Sequence, residues 1–328
     1  MHTGQLNREY VIFGTGSLSR KLMQEYEEIY NNLNIVAVID NNPASVGSNF
    51  FGLEVSNSQL LMNVRKNNGV FILIASGFYD EISNQLIELG FKEGDDFGSA
   101  AQILGNIKYR GDAVYCVCCE QSFSSFMPHR SRNNVKCPNC KVMVRHRVIW
   151  LYLKRNWTVK PNAHVRFLHV APEPAISRLV TQLENIEYVS IDINPNRAMY
   201  AMDLTNITFE ENSFDIILCS HVLEHIPDDR KAMRELYKVL KPGGFAILLV
   251  PIDKSRSETY ENWQLTTPEE RLIHFGQEDH VRWYGLDYAD RLADAGFKVK
   301  ILPVVDIVDK SDMERYGIRP MDMYVCYK

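Results

Sequence analysis

The run from Tyr188 to Pro251 constrains the fold more than any other part of this chain. It opens with an apolar stretch closed by an acid, Tyr188-Val-Ser-Ile-Asp192, and a second acid follows at Asp203. Then come Phe214-Asp-Ile-Ile-Leu-Cys219, the polar turn Ser220-His-Val-Leu-Glu-His225 and a helical pattern. A Lys241-Pro-Gly-Gly244 turn leads into a last strand, Phe245-Ala-Ile-Leu-Leu-Val250. Near-continuous apolar strands alternating with helices predict a parallel sheet covered on both faces. Acids at the carboxyl ends of such strands stand where these sheets bind ligands. The expected fold class is therefore α/β.

At 328 residues the chain exceeds one ordinary core, so two or three domains are expected. A net charge of −5 gives no general reason for a nucleic-acid partner. No apolar run reaches the ~18 residues of a membrane span, and Met1-His-Thr-Gly-Gln-Leu-Asn7 does not read as a signal peptide. Five of the seven cysteines fall between Cys116 and Cys140, which favours one local site over a disulfide framework. A reducing cytoplasm is the expected setting.

Residues 1–105 read as a first, Rossmann-like βαβ domain. Glu9-Tyr-Val-Ile-Phe13 is a strand, followed by Gly14-Thr-Gly16 and a helical pattern through Tyr30. Ile35-Val-Ala-Val-Ile-Asp40 is a second strand closed by an acid; Val70-Phe-Ile-Leu-Ile-Ala75 is a third, leading to a helix from Tyr79 to Leu89. Ser19 stands where a dinucleotide fingerprint has its third glycine. A nucleotide-type ligand at Gly14, Gly16 and Asp40 and a ligand-free scaffold both remain open. The run Val38-Ile-Asp-Asn-Asn-Pro43 with Gly47 resembles the N-terminal domain of bacterial sugar O-acyltransferases. That resemblance implies a site for a nucleotide sugar or similar phosphate ligand around Gly14, Gly16 and Asp40.

Residues 106–157 are expected to form a zinc-ribbon or knuckle module with a linking helix. Cys116-Val-Cys-Cys119 and Cys137-Pro-Asn-Cys140 give C-x2-C-x17-C-x2-C, a zinc-site spacing. Cys116, Cys119, Cys137 and Cys140 can close a tetrahedron around a structural zinc, with Cys118 a spare thiol or a replacement ligand. After them, Val148, Leu151 and Tyr152 share a helical stripe, and Arg145-His-Arg147 reads as a solvated basic helix start.

Residues 158–328 are expected to hold the catalytic sheet, with Val165-Arg-Phe-Leu-His-Val170 as its first strand. The order of pieces from about residue 160 onward resembles the class I S-adenosylmethionine-dependent methyltransferases of the type 11 group. The turn after the first strand, Ala171-Pro-Glu-Pro174, lacks that family's glycines. It is similar to a bacterial subgroup in which a Leu-His-x-Ala-Pro-Glu run follows a cysteine-knuckle segment ending in Arg-His-Arg. The resemblance implies that Asp192 grips the ribose hydroxyls of S-adenosylmethionine, with Ile193 beside it. It further implies that Asp203 and Leu204 line the adenine pocket, and that Ser220 and His221 lie near the methyl-donor sulfur. Glu173 either faces the cofactor's ammonium group or serves the start of the next helix.

The motif His221-Val-Leu-Glu-His225 also matches a zinc-peptidase pattern, but that pattern needs a helix, and Pro227 with Asp228 marks a new helix start just after it. From Thr266 to Gly285 a polar, aromatic insertion reads as a substrate lid. Within it His280 is the first candidate general base, His225 the second, and Arg282 an anion-binding partner. The expected activity is methyl transfer, most simply O-methylation of a sugar, nucleotide sugar or other precursor of cell-surface polysaccharide. A nucleotide-sugar-binding or NAD-dependent protein and a scaffold with a degenerate cofactor site are the rivals, and a homo-oligomer is left open.

Overall fold

The computed structural model describes residues 8–64, 69–156 and 164–328, and contacts divide the chain into two compact units, Met1–Met143 and Val144–Lys328. The cysteine segment lies inside the first unit, and the helix after it, Val144–Asn156, belongs to the second. The expected boundary at 157/158 and the chain start lie outside the described residues.

The first unit is built on strands β1 (Glu9–Phe13), β2 (Asn34–Ile39), β3 (Asn49–Phe50), β4 (Leu53–Ser56), β5 (Val70–Ile74) and β6 (Phe97–Ser99). They form one sheet in the order β3-β4-β2-β1-β5-β6, parallel except for the β3–β4 pair. All five residues of β5 are buried, as a strand covered on both faces requires. The helical pattern expected through Tyr30 is broken into Ser17–Glu25 and Glu27–Tyr30, because Tyr26 leaves helical geometry to bury its ring in the core. Two small antiparallel hairpins follow, β7 (Val114–Cys116) with β8 (Gln121–Phe123), and β9 (Met127–His129) with β10 (Arg132–Lys136).

The second unit holds a seven-stranded sheet of β11 (Val165–Val170), β12 (Ile186–Asp192), β13 (Tyr200–Ala201), β14 (Phe214–Ser220), β15 (Leu240–Leu249), β18 (Lys298–Pro303) and β19 (Asp322–Tyr327). A two-stranded ribbon, β16 (Tyr260–Glu261) with β17 (Arg282–Trp283), lies in the insertion. The sheet order is β13-β12-β11-β14-β15-β19-β18, with only β19 antiparallel to its neighbours. Strand order reverses between β11 and β14, which opens a crevice beyond their carboxyl ends. Asp228 caps the helix Asp229–Val239 by accepting from the Lys231 N–H, and that helix buries Ala232, Met233, Leu236 and Val239, one face at helical spacing.

The expected turn at Lys241–Gly244 is absorbed into β15. Its register with β14 slips there, and Gly243 takes a left-handed φ of 79°. A Cβ on Gly244 would sit 2.7 Å from the Asp215 carbonyl oxygen, so only glycine fits this close pass. Among the described residues no helix is long and apolar enough to cross a membrane.

Candidate active site and metal centre

In the first unit the four predicted thiols converge. Cys116 Sγ lies 3.6 Å from Cys140 Sγ, and Cys119 Sγ lies 3.7 Å from Cys137 Sγ. A tetrahedral ion with bonds of about 2.3 Å to sulfur sets its ligand atoms about 3.8 Å apart, close to these spacings. No disulfide forms, so all four sulfurs remain available as ligands. Four thiolates fit zinc and leave no open coordination position. The second knuckle is braced by Lys141, whose ammonium donates to the Pro138 and Ala101 carbonyls.

At the expected nucleotide site of Gly14, Gly16 and Asp40, the carboxylate is engaged by its own and the neighbouring loop. Thr15 donates to one Asp40 oxygen from both its N–H and its hydroxyl, and the Asn42 N–H donates to the other. The carboxylate thus ties the loop after β1 to the loop after β2. Gly14 is needed for packing: a Cβ there would meet the Ala75 carbonyl oxygen at 2.9 Å. Nothing closes on Gly16.

In the second unit the residues predicted for the cofactor stand at or just after the carboxyl ends of β11, β12, β13 and β14. Asp192 closes β12. One of its oxygens accepts from the Asn194 N–H at 2.8 Å, and the other takes no hydrogen bond from the described residues. Beside it Ile193 is 79% exposed, an apolar side chain held in the open next to a carboxylate. Asp203, after β13, uses one oxygen for the Thr205 N–H and hydroxyl, while Leu204 is buried beneath it. At the end of β14 the Ser220 hydroxyl is buried with no hydrogen-bond partner among the described residues, and His221 adopts a left-handed φ of 57°.

After β11, Ala171 also takes a left-handed φ, 46°, where the glycine-free turn reverses the chain. Strain of this kind persists only where the surroundings impose it. Here the Ala171 N–H is fixed to the Ile191 carbonyl at 2.8 Å.

Glu173 follows, and its carboxylate is held from within the protein. His169 Nε2 donates to it at 3.0 Å, His146 Nε2 lies 3.3 Å away and Arg145 Nε 3.7 Å away. Burial alone pushes this carboxyl up, but the bonds from His146 and His169 outweigh it and hold the group well below the usual carboxylate range. The fold thus uses Glu173 to tie the helix Val144–Asn156 to β11. The expected solvated helix start is corrected accordingly: His146 and Arg147 are buried, and Arg147 donates to the Gly317 carbonyl at 3.0 Å. His169, fully buried and bonded at its other nitrogen to the Tyr188 hydroxyl, is the partner that sequence reasoning passed over, although it stands in the quoted Leu-His-x-Ala-Pro-Glu run.

The His221–His225 motif does not form the peptidase helix. Leu223–His225 is a single 3-10 turn, and His221 Nδ1 instead meets Glu224 Oε1 at 3.1 Å. His225 Nδ1 donates to the Asp279 carbonyl at 3.2 Å, and its ring meets that of His280 edge to face at 4.7 Å. His280 is only 2% exposed, and burial lowers its basicity. Of the two expected bases, His225 is the more exposed, its side chain 33% accessible against 2% for His280.

Arg282 is corrected as well. It is fully buried, and it donates to the Glu261 carboxylate and to the backbone carbonyls of Leu223, Ile226 and Pro227, so its donors are spent within the protein, clamping the Glu224–His225 turn. Glu224, buried beside both histidines, is a site residue the sequence reading missed.

Residues 175–248 match a family model described as a methyltransferase domain, and residues 6–95 match one described as C2185-like, N-terminal. Over 47 residues the chain is 40% identical to a demethylmenaquinone methyltransferase of Staphylococcus epidermidis, covering 14% of this chain and 20% of that one. Over 115 residues it is 34% identical to a sterol 24-C-methyltransferase of Kluyveromyces lactis, covering 34% and 29%. The chain thus spans less than a third of the length of these curated relatives. Among solved structures it is similar to a S-adenosylmethionine-dependent methyltransferase from Mesorhizobium loti, at 13% identity and a TM-score of 0.38 over 55% of this chain and 98% of that one. The matched stretch runs from the helix after β11 through β15, and in sequence it is similar to a methyltransferase domain.

Proposed function

We propose that the second unit binds S-adenosylmethionine in the β11–β14 crevice and transfers its methyl group to a small-molecule nucleophile. The observation that carries this is Asp192. A carboxylate with one oxygen unclaimed by the protein stands at the end of the second strand, beside an exposed apolar residue, at the point where strand order reverses. The residues present fit the cofactor: Asp192 for the ribose hydroxyls, Ile193 and Leu204 for the faces of the adenine, Asp203 for its amine, and the unpartnered Ser220 hydroxyl on the methionine side. When bound, S-adenosylmethionine supplies an activated methyl, so the protein's work is to orient the acceptor, exclude water and manage its proton.

Acceptor activation falls to Glu224, His225 and His280, which Arg282 and the insertion hold against the end of β14. The sugar acceptor expected from the first hundred residues has no counterpart in the names of the relatives cited, so the proposal stops at a small-molecule nucleophile. In the first unit the cluster of four cysteines supplies the donor set for a structural zinc.

Calorimetric titration of the purified chain with S-adenosylmethionine and, separately, NAD tests the reading. Binding of the first and not the second is the expected outcome. Binding of NAD alone would move the chemistry elsewhere.

A further inference from the structure

We infer that Glu224, His225 and His280 form a second metal site, for a divalent first-row transition ion of the zinc type, with an open coordination position toward the acceptor side of the crevice. One ligand atom from each of the three lies within 4.8 Å of the others. Two imidazoles and one carboxylate form a donor set that suits such ions and leaves positions free for water or substrate. Bonds of about 2.0–2.2 Å need ligand atoms somewhat closer than 4.8 Å, a gap that side-chain rotation closes.

Three independent features point to an ion at this place. Neither ring nitrogen of His280 has a hydrogen-bond partner among the described residues, although the residue is only 2% exposed, and Glu224 Oε2 is equally buried and unpartnered. Leaving such groups unsatisfied costs about 1–3 kcal/mol each, which a cation among them would offset. The ring of His225 is also anchored: Nδ1–H donates to the Asp279 carbonyl at 3.2 Å, with the Asp279 carboxylate at 3.3 Å, which leaves Nε2 without a partner among the described residues. Ligating histidines characteristically have their other nitrogen anchored in this way. Likewise Glu224 Oε1 is oriented by His221 at 3.1 Å, which frees Oε2.

Finally, the two segments carrying the ligands are stitched together. The Val281 N–H donates to the Glu224 carbonyl at 2.9 Å, and Arg282 grips the carbonyls of Leu223, Ile226 and Pro227. The cluster is thereby held in place before any ion arrives.

This arrangement differs from the peptidase motif, because His221 orients a ligand and is not one. The site itself stands on its own geometry. Its role, binding an acceptor oxygen and increasing its acidity, rests on the methyl-transfer reading.

The test is metal content per chain after equilibration with zinc and removal of free ion, with tryptophan fluorescence and near-UV circular dichroism confirming the fold of each variant. The wild-type chain is expected to retain two equivalents. His225→Gln and Glu224→Gln should each retain one, and Cys137→Ser should lose the other. A wild-type chain that keeps only the equivalent removed by Cys137→Ser overturns the inference, as does a His225→Gln chain that keeps two. Calorimetry with S-adenosylmethionine on the same preparations separates the two claims. Cofactor binding without a second ion sinks the metal site alone, and a second ion without cofactor binding sinks the methyl-transfer reading alone.

Discussion

Replacing Asp229 with alanine probes the device that holds the insertion against the turn after β14. Asp229 is 3% exposed, and its Oδ2 accepts from the Tyr284 hydroxyl at 2.7 Å and from Arg291 Nη1 at 3.0 Å, with Arg282 Nε at 3.8 Å. Hydrogen bonds to a charged group contribute about 1.5–3 kcal/mol each, and breaking a buried ion pair costs about 3–5 kcal/mol. Arg291 keeps Glu261 at 2.8 Å and Asp287 at 3.2 Å, and Arg282 keeps Glu261 at 2.7 Å, so neither cation is orphaned. The loss should therefore lie at the low end, about 3 kcal/mol.

All four tryptophans lie after residue 143 in sequence, with Trp150, Trp263 and Trp283 among the described residues of the second unit, so tryptophan fluorescence during urea unfolding reports that unit. With a slope of about 2–3 kcal/mol per molar urea, Asp229→Ala should lower the midpoint by about 1 M. Arg230→Ala is the control. Its partner Asp294 lies 2.7 Å away, but both side chains are largely solvated, and such a pair contributes about 0–1 kcal/mol. If Asp229→Ala costs no more than Arg230→Ala, the buried network does not brace the insertion and this reasoning fails.

Two further outcomes follow. Cys137→Ser with Cys140→Ser should abolish zinc retention by the first unit and unfold the segment around β7–β10; circular dichroism and proteolysis of an unchanged, protease-resistant segment would contradict a structural ion. Acidification should weaken the second unit in two stages. Burial keeps His146 neutral in the fold, below its ordinary 6.5, so the unfolded chain takes up the proton first and stability falls as pH drops through that range. Glu173, held below its ordinary 4.5, adds a second loss as pH falls further toward its folded value. Glu173→Gln should remove the second stage and leave the first, as urea midpoints measured across pH would show.

Much of the architecture was legible because it depends on local periodicity. The apolar runs at 9–13, 70–75, 165–170 and 214–219 each became a central strand, and Asp228-Asp229 marked a helix start that the structure confirms. The thiol spacing was equally local, since each pair sits on one knuckle. What escaped the sequence depends on contacts between distant segments. Glu173 was legible as an acid at a helix start, but not its capture by His146 and His169 from two other elements. Arg282 looked like a lid cation until its donors were found to end on backbone carbonyls of the turn after β14. Glu224 was read only as part of the peptidase pattern, because its closeness to His280 depends on the insertion folding back against it. The left-handed Ala171 could not be foreseen, because the residue type disfavours the conformation that the surrounding strands impose.

The most direct test of the account is the affinity of S-adenosylhomocysteine for the wild-type chain and for Asp192→Ala, measured by calorimetry under identical conditions. Binding at one site per chain that disappears in Asp192→Ala, with the tryptophan unfolding curve unchanged, is the predicted result. Undiminished affinity in the variant, or none in the wild type, would contradict the placement of the cofactor and the activity built on it.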